Sequence, residues 1–256
     1  MSLFMVRASL DMQRAVAWGS ERGVTRLGAD FGYLGHALLT AAFGELAPKP
    51  WRLVEPERGP AYLLGYTLAD ATTLSEHAAL YADPAVSAAL SLDTIAVKRM
   101  PEAFRLGQRL GFEIRLRPVV RSSLHLDGSV RGGRDHRIEI DAALHAALVA
   151  READPSAPKP DAEEVYRSWL IERLARGGAR AAEGGLRLVW RRRTPVLRRN
   201  AERNLTLAGA KGGGPDIGLA GALEVAEPEA FGTLLATGIG RHRAFGFGML
   251  LLKPER

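Results

Sequence analysis

The sequence predicts an α+β protein built from two successive βαββαβ units with additional helices. In the first hundred residues, strand-like and helix-like patterns follow the order strand, helix, strand, strand, helix, strand. The second half repeats this order with one more helix, and 256 residues with 46% hydrophobic content suffice for two cores. We therefore expect two tandem ferredoxin-like, RRM-like domains with helical insertions, at residues 1–105 and 106–256.

The first domain takes its elements from residues 3–100. Asp30 is a favourable N-cap for a helix through residues 31–43, which Gly44 ends. Residues 70–91 are predicted to be helical, and a second short helix begins at Asp83 and Pro84. The strands of this domain are expected at residues 3–10, 51–54, 61–68 and 94–100.

The second domain begins with a strand at residues 110–120, which alternates apolar and charged side chains. Phe112, Ile114 and Leu116 are expected to be buried, whereas Arg115 and Arg117 are expected on a charged outer face. The remaining elements are helices at 135–151 and 163–176, a hairpin within 186–207, a strand at 218–225, a helix at 228–237 and a strand at 244–252.

The net charge and the absence of cysteine limit the classes of function that the protein could have. The chain has a net charge of +6 and a pI near 10.0, mostly from arginine, which suits phosphate recognition. It has no cysteine, which excludes disulfides and thiolate metal sites. Its histidines are scattered without metal-ligand spacing, and neither a signal peptide nor an apolar span is visible. We expect a cytoplasmic protein without cofactor or metal.

The predicted hairpin carries the densest positive charge. Apolar residues such as Val189 and Trp190 alternate with the arginines, so this segment is too apolar for a disordered tail. Two interpretations stay open, a hairpin that binds nucleic acid or a solvated pair of strands. The candidate contacts are Arg191, Arg192, Arg193, Arg198 and Arg199, together with Arg115 and Arg117 of the preceding strand.

A glycine-rich segment near the C-terminus, residues 238–248, precedes the last strand. Its glycines permit a tight turn, and Arg241, His242 and Arg243 stand between them. Exposed N–H groups and guanidinium groups are suited to a polyanion such as phosphate. The alternative is a glycine-rich turn with a purely structural role.

Tyr33 and His36 share the polar face of the first predicted helix with Thr40. A single histidine on a helix is usually structural or merely exposed, although its pKa suits proton transfer near neutral pH.

Together, the segment from Gly238 to Leu252 and the Tyr33/His36 pair resemble the CasE family of CRISPR RNA-processing endoribonucleases in the RAMP superfamily. Weaker similarity extends over most of the chain except residues 67–94, and it includes residues 99–101, 107–118, 165–170, 221–225 and 227–231. The family includes processing subunits of type I-E systems and is related to those of type IV systems, and the sequence does not separate the two.

The resemblance implies a function and a site. The expected activity is metal-independent cleavage of CRISPR repeat RNA at the base of its stem-loop, through attack by the 2′-OH. The products would be a 2′,3′-cyclic phosphate and a 5′-hydroxyl, and the protein would stay bound to the RNA with other Cas subunits. The resemblance assigns catalysis to His36, with Tyr33 orienting the substrate.

One position departs from the family pattern. Relatives often carry a lysine about one turn after the histidine, where this chain has Ala41. Arg26, Arg22, Arg241 or Arg243 would then supply the positive charge.

Two other functions stay open at this point, a RAMP subunit that binds guide RNA without cutting it and a general RNA-binding protein. The predicted helices at 70–91 could lie against RNA or pack as ordinary helices.

Overall fold

The computed structural model describes residues 2–25, 30–123, 138–199, 205–208 and 213–255. The first part contains β1 (Phe4–Ser9), α1 (Met12–Glu21), α2 (Gly32–Phe43), β2 (Trp51–Val54), β3 (Tyr62–Thr67), α3 (Ala71–Tyr81), α4 (Pro84–Leu90) and β4 (Ala96–Arg99). The second contains β5 (Arg109–Leu116), β6 (Val119–Ser122), β7 (Ile138–Asp141), α5 (Ala142–Ala153), α6 (Ala162–Arg176), β8 (Ala179–Thr194), β9 (Val196–Arg199), β10 (Leu205–Ala208), β11 (Gly214–Val225), α7 (Pro228–Thr237) and β12 (Leu250–Lys253). Within these residues, no helix has the length and apolar character needed to cross a membrane.

The first sheet has the strand order β2-β3-β1-β4, with antiparallel pairing throughout. Val6 in the central strand lies opposite Gly65 of β3 and Val97 of β4, and its side chain is buried. Leu34 and Leu38 of α2 belong to the same apolar cluster as Val6. The helix is therefore held on the sheet by the apolar stripe that the sequence predicts.

The second sheet has the order β12-β5-β11-β8, again antiparallel. When the four strands of each sheet are numbered in chain order, both sheets have the spatial order 4-1-3-2. This is the strand order of a βαββαβ unit. As predicted, Phe112, Ile114 and Leu116 of β5 are buried. Two short antiparallel pairs, β6-β7 and β9-β10, form separate two-stranded sheets, and Leu197 of β9 belongs to the apolar cluster of the first sheet. The predicted α+β fold with ferredoxin-like units is confirmed.

Several local predictions were wrong. Residues 12–21 form a helix that was not predicted from sequence, and residues 138–141 are a strand rather than the start of a helix. Phe31, not Asp30, is the N-cap of α2, and the Asp30 carboxylate pairs with Arg115 at 3.4 Å. The last strand begins at Leu250, since residues 243–245 form a 3₁₀ turn.

Two hydrogen bonds from the first sheet reach the end of the chain. The Trp51 indole donates to the carbonyl of Ala244 at 2.8 Å, and the Tyr66 hydroxyl donates to the carbonyl of Leu250 at 3.0 Å. Tyr66 also belongs to the apolar cluster of the second sheet. The two sheets thus share buried contacts, which bring the start of α2 next to the glycine-rich segment.

Candidate active site

The glycine-rich segment folds into a loop pinned to both sheets. The Ile239 amide donates to the Gly248 carbonyl at 2.9 Å, which closes the loop, and the Gly248 amide donates to the Arg115 carbonyl at 2.8 Å. Together with the bond from Trp51, these contacts hold the turn at residues 243–245 in one position. A well-fixed loop is what a catalytic or binding site requires.

Helix α2 approaches this loop closely because two of its residues have no side chain. A Cβ atom on Gly32 would lie 2.6 Å from the Phe245 carbonyl oxygen. A Cβ atom on Gly35 would lie 2.3 Å from the Trp51 ring, so any larger residue would push the helix away. The glycines of α2 therefore set the distance between the helix and the loop.

His36 and Tyr33 both face Phe245 of the loop. The His36 and Phe245 rings are 5.3 Å apart in an edge-to-face arrangement, and Tyr33 stacks on Phe245 at 6.1 Å. The His36 Nδ1 atom is 3.4 Å from the Thr40 hydroxyl, one turn along the helix. The structure thus brings together the early helix and the late glycine-rich loop, the two segments on which the resemblance depends.

Partial burial lowers the pKa of His36 below its ordinary value of 6.5, and the nearby positive charge of Lys49 lowers it further. The imidazole is therefore mostly neutral at pH 7 and able to accept a proton. Lys49 was not among the site residues predicted from sequence. Its signal is weak, because it is an exposed lysine distant in sequence from both motifs.

The basic side chains of the glycine-rich loop form ion pairs or hydrogen bonds with neighbouring groups. Arg241 forms an ion pair with Glu139 of β7 at 2.8 Å, and the buried His242 ring lies 2.9 Å from the same carboxylate. Arg243 donates to the Thr237 carbonyl at the C-terminal end of α7 at 2.6 Å. Each contact fixes the loop that carries Phe245.

Of the other two candidate cations, the structure describes only Arg22. Arg22, the C-cap of α1, stacks on Trp18 and pairs with Asp83 at 3.0 Å. Arg26 lies outside the described residues.

Arg115 and Arg117 do not lie on an outer charged face, so that expectation is wrong. Arg115 is 13% exposed and makes two hydrogen bonds to the fully buried Asp216, at 2.9 and 2.7 Å. Arg117 is 3% exposed and donates to the Thr194 carbonyl at 2.9 Å. The alternation along β5 remains, but the glycine-rich loop covers its charged face, with the Arg115 guanidinium 4.2 Å from the Phe247 ring centroid.

The three consecutive arginines of β8, in contrast, are exposed. The Arg191 guanidinium lies 5.4 Å from the Tyr166 ring centroid, and Arg192 lies 4.8 Å from that of Trp190 and also pairs with Asp216. Arg193 donates to the Gly213 carbonyl at 2.6 Å. The side chains of Arg198 and Arg199 lie outside the described residues, although their backbone forms β9.

A groove of about 780 Å³ joins this basic strand to the start of α2. Its walls include Phe31 just before the helix, Arg52 of β2, and Trp190, Arg191 and Arg192 of β8. A groove with aromatic rings and guanidinium groups is typical of sites that bind single-stranded nucleic acid.

Comparison with known proteins agrees with the sequence resemblance. A family model described as "CRISPR associated protein" matches residues 3–254. A search of curated proteins gave no match.

Solved structures resemble the chain along its whole length. A CRISPR endoribonuclease Cse3 bound to a 19 nt RNA is 24% identical, with a TM-score of 0.60 and coverage of 99% of this chain and 100% of that one. Thermus thermophilus Cse3, bound to an RNA representing a pre-cleavage complex, is 22% identical with a TM-score of 0.58 and the same coverage. Cas6e from Escherichia coli K-12 is 17% identical with a TM-score of 0.52, and both chains are fully covered.

Proposed function

Since this chain belongs to the CRISPR associated protein family, we propose that it is an endoribonuclease that processes CRISPR repeat RNA. It cleaves the repeat transcript at the base of its stem-loop, without a metal ion, and retains the product as a subunit of a surveillance complex with other Cas proteins in the cytoplasm. Two structures that resemble it are of an RNA-bound CRISPR endoribonuclease, which supports this choice of substrate.

This proposal depends mainly on one observation: His36 and Tyr33 both contact Phe245 of the glycine-rich loop. A half-buried imidazole of lowered pKa, beside a tyrosine and at a fixed loop, is suited to acid–base catalysis. The exposed arginines of β8 and the adjoining groove supply a surface for the phosphates of the RNA.

In the proposed reaction, neutral His36 accepts the proton of the 2′-OH. The 2′-oxygen attacks the adjacent phosphorus atom, and the bond from phosphorus to the 5′-oxygen breaks. The departing 5′-oxygen takes up a proton from water, so the products are a 2′,3′-cyclic phosphate and a 5′-hydroxyl, and His36 returns its proton to the solvent. The nucleophile comes from the RNA itself, which is why DNA would not be cut.

Tyr33 orients the ribose or the phosphate in this proposal. Its ring is 9% exposed and stacks on Phe245, so it is held in one position beside His36. Arg191, Arg192 and Arg193 hold the RNA backbone.

The proposal is tested by incubating a labelled repeat hairpin with the wild-type protein, His36→Ala and His145→Ala in the presence of EDTA. We expect the wild type to cleave, and His36→Ala to lose about 10²–10⁴ in single-turnover rate, because a general base is removed. His145 on α5 serves as the matched histidine control and should be replaceable without loss.

Three outcomes would contradict the proposal. Undiminished cleavage by His36→Ala removes this histidine from the mechanism, and loss of cleavage in EDTA refutes metal independence. A wild type that binds the hairpin tightly without cutting it would identify the protein as a non-catalytic RAMP subunit.

A further inference from the structure

We propose that Glu139 of β7 is a positioning residue for the cleavage reaction, because its carboxylate holds the turn that keeps Phe245 against His36. The proposal rests on the proposed function, and it assigns a role to a residue that was not among those predicted from sequence. Its partners, Arg241 and His242, are two residues that the sequence predicted to bind RNA.

The carboxylate of Glu139 contacts two consecutive residues of the glycine-rich loop. Its Oε2 atom lies 2.8 Å from Nε of Arg241, and its Oε1 atom lies 2.9 Å from Nε2 of His242. A carboxylate only accepts hydrogen bonds, so the His242 ring donates its Nε2–H to Glu139. With one oxygen on each residue, the carboxylate restrains both the position and the orientation of this part of the loop.

The backbone at His242 needs such a restraint. Its φ angle is +64°, in the left-handed region, which residues other than glycine rarely adopt unless their surroundings hold them there. Its side chain is 2% exposed, so the ring is held inside the protein and does not face RNA. Glu139 therefore acts on the loop through a buried side chain.

The turn that begins at His242 connects this contact to the candidate site. The Phe245 amide donates to the His242 carbonyl at 2.8 Å, and the centroids of the two rings are 6.2 Å apart. The Phe245 ring in turn contacts His36 and Tyr33, with centroid distances of 5.3 and 6.1 Å. Without the carboxylate of Glu139, this turn would gain freedom, and Phe245 would no longer keep both side chains in one position.

Glu139 lies on a strand that belongs to neither of the large sheets. Its strand, β7, pairs with β6 in a two-stranded sheet, where Glu139 is opposite Arg121, and its side chain is 22% exposed. Replacing Glu139 therefore removes a contact to the loop while the pairing of the large sheets remains. A misplacement of about 1 Å at a reacting group can cost about 10² in rate, so a local change is sufficient to slow cleavage.

The experiment compares single-turnover cleavage of the labelled repeat hairpin, at saturating protein, by wild type, Glu139→Ala, Glu139→Gln and Glu224→Ala. Glu224 is an exposed glutamate on β11 and provides the matched control. We expect Glu139→Ala to lose about 10–10² in rate, with RNA affinity changed less than about threefold. Glu139→Gln should recover most of this loss, because its amide oxygen still accepts the hydrogen bond from His242. Glu224→Ala should equal the wild type.

A second measurement, NMR titration of the His36 ring without RNA, distinguishes a displaced turn from a general loss of stability. Burial is the main cause of the lowered pKa of His36, so a turn that moves away must raise this pKa toward 6.5 in Glu139→Ala. Loss of a negative charge would by itself lower the pKa, so a rise reports exposure of the ring. Glu139→Gln and Glu224→Ala must leave the pKa of His36 low.

Four outcomes would contradict the inference. If the wild type cleaves and Glu139→Ala cleaves equally well, the inference is overturned and the proposed function stays intact. Tighter RNA binding by Glu139→Ala at an undiminished rate would show that the carboxylate masks Arg241 from phosphate instead. A slower Glu139→Ala in which the pKa of His36 stays low would assign the loss to stability and not to positioning. A wild type that binds without cleaving overturns both the proposed function and this inference.

Discussion

At the scale of single residues, the environment of His36 determines which proton transfer it can perform. Burial and the charge of Lys49 both disfavour the imidazolium form, so the neutral ring is present at lower pH than for a free histidine. A base that is already deprotonated at neutral pH needs no further activation before it accepts the 2′-OH proton.

The rate of cleavage should therefore rise with pH, and the midpoint of this rise should lie below pH 6.5. The sign follows from the lowered pKa of His36, because the active form is the neutral one and it dominates above that pKa. Single-turnover rates measured between about pH 4.5 and 8 would check this. An acid limb centred above 6.5 would contradict the assignment of His36 as the base.

Asp216 illustrates a residue whose importance is structural. Burial alone would raise its pKa, but hydrogen bonds from Arg115, Thr194 and Arg192 outweigh burial and hold the pKa below 3.8. Asp216 therefore contributes stability that is present above its unfolded value and is lost as pH falls through the folded value.

Replacing Asp216 by Asn should destabilise the protein by about 3 kcal/mol, since the buried Arg115 would lose its closest carboxylate and keep its longer contact with Asp30, at 3.4 Å. Urea denaturation measures this loss, and Asp93→Asn at an exposed position provides the control. Equal midpoints for the two variants would show that the buried ion pair adds nothing to stability.

At the scale of elements, the exposed arginines of β8 provide the surface that would bind the RNA backbone in the proposed function. Arg191, Arg192 and Arg193 are consecutive, and the Arg191 and Arg192 guanidinium groups lie near aromatic rings. Successive side chains of a strand point to opposite faces of the sheet, so these three arginines can contact phosphates on both faces of β8.

Changing these three arginines to Gln should weaken hairpin binding and flatten its salt dependence. Each lost phosphate contact reduces the slope of log K against log salt by about 0.7–0.9, so the triple variant should lose about 2–3 units. Fluorescence anisotropy from low to moderate salt measures the slope. An unchanged slope would contradict the role of β8, and Arg58, Arg105 and Arg151, all exposed, supply a matched triple control.

Elements with strong periodicity were predictable from sequence, whereas their long-range partners were not. Helix α6 matches its prediction closely because its apolar spacing is a local property. Helix α1 was missed because its polar sequence buries only Ala15, Trp18 and Gly19. The burial of Arg115 depends on Asp216, 101 residues away, and no local pattern reveals such a partner.

The site itself follows the same rule. The Tyr33/His36 pair and the glycine-rich segment were identified from sequence, and the structure brings them together at Phe245. The effect of Lys49 on the pKa of His36 could not be predicted, because the sequence does not show which charges lie near an imidazole.

At the scale of the whole molecule, the two sheets are joined by buried polar contacts as well as by apolar packing. The Tyr66 hydroxyl is buried and donates to the carbonyl of Leu250 on β12. A buried carbonyl group that loses its hydrogen-bond donor lowers the free energy of unfolding, because the group is no longer solvated by water and has no replacement donor.

Replacing Tyr66 by Phe should therefore cost about 1–3 kcal/mol of unfolding free energy, with little change in volume. Thermal or urea denaturation would measure this, with Tyr81→Phe as the control because Tyr81 is 69% exposed. Cleavage by the folded variant should stay near the wild-type rate, since Tyr66 lies outside the proposed chemistry. A variant as stable as the wild type would indicate that the bond joining the sheets is energetically neutral.

The hydrogen bond from Trp51 to Ala244 spans 193 positions of the chain. During translation, the histidine-bearing helix leaves the ribosome long before the loop that completes its surroundings has been synthesised. Under the proposed function, a nascent chain therefore has no assembled site until residues 243–245 have emerged, and a product truncated before them would contain the imidazole without Phe245.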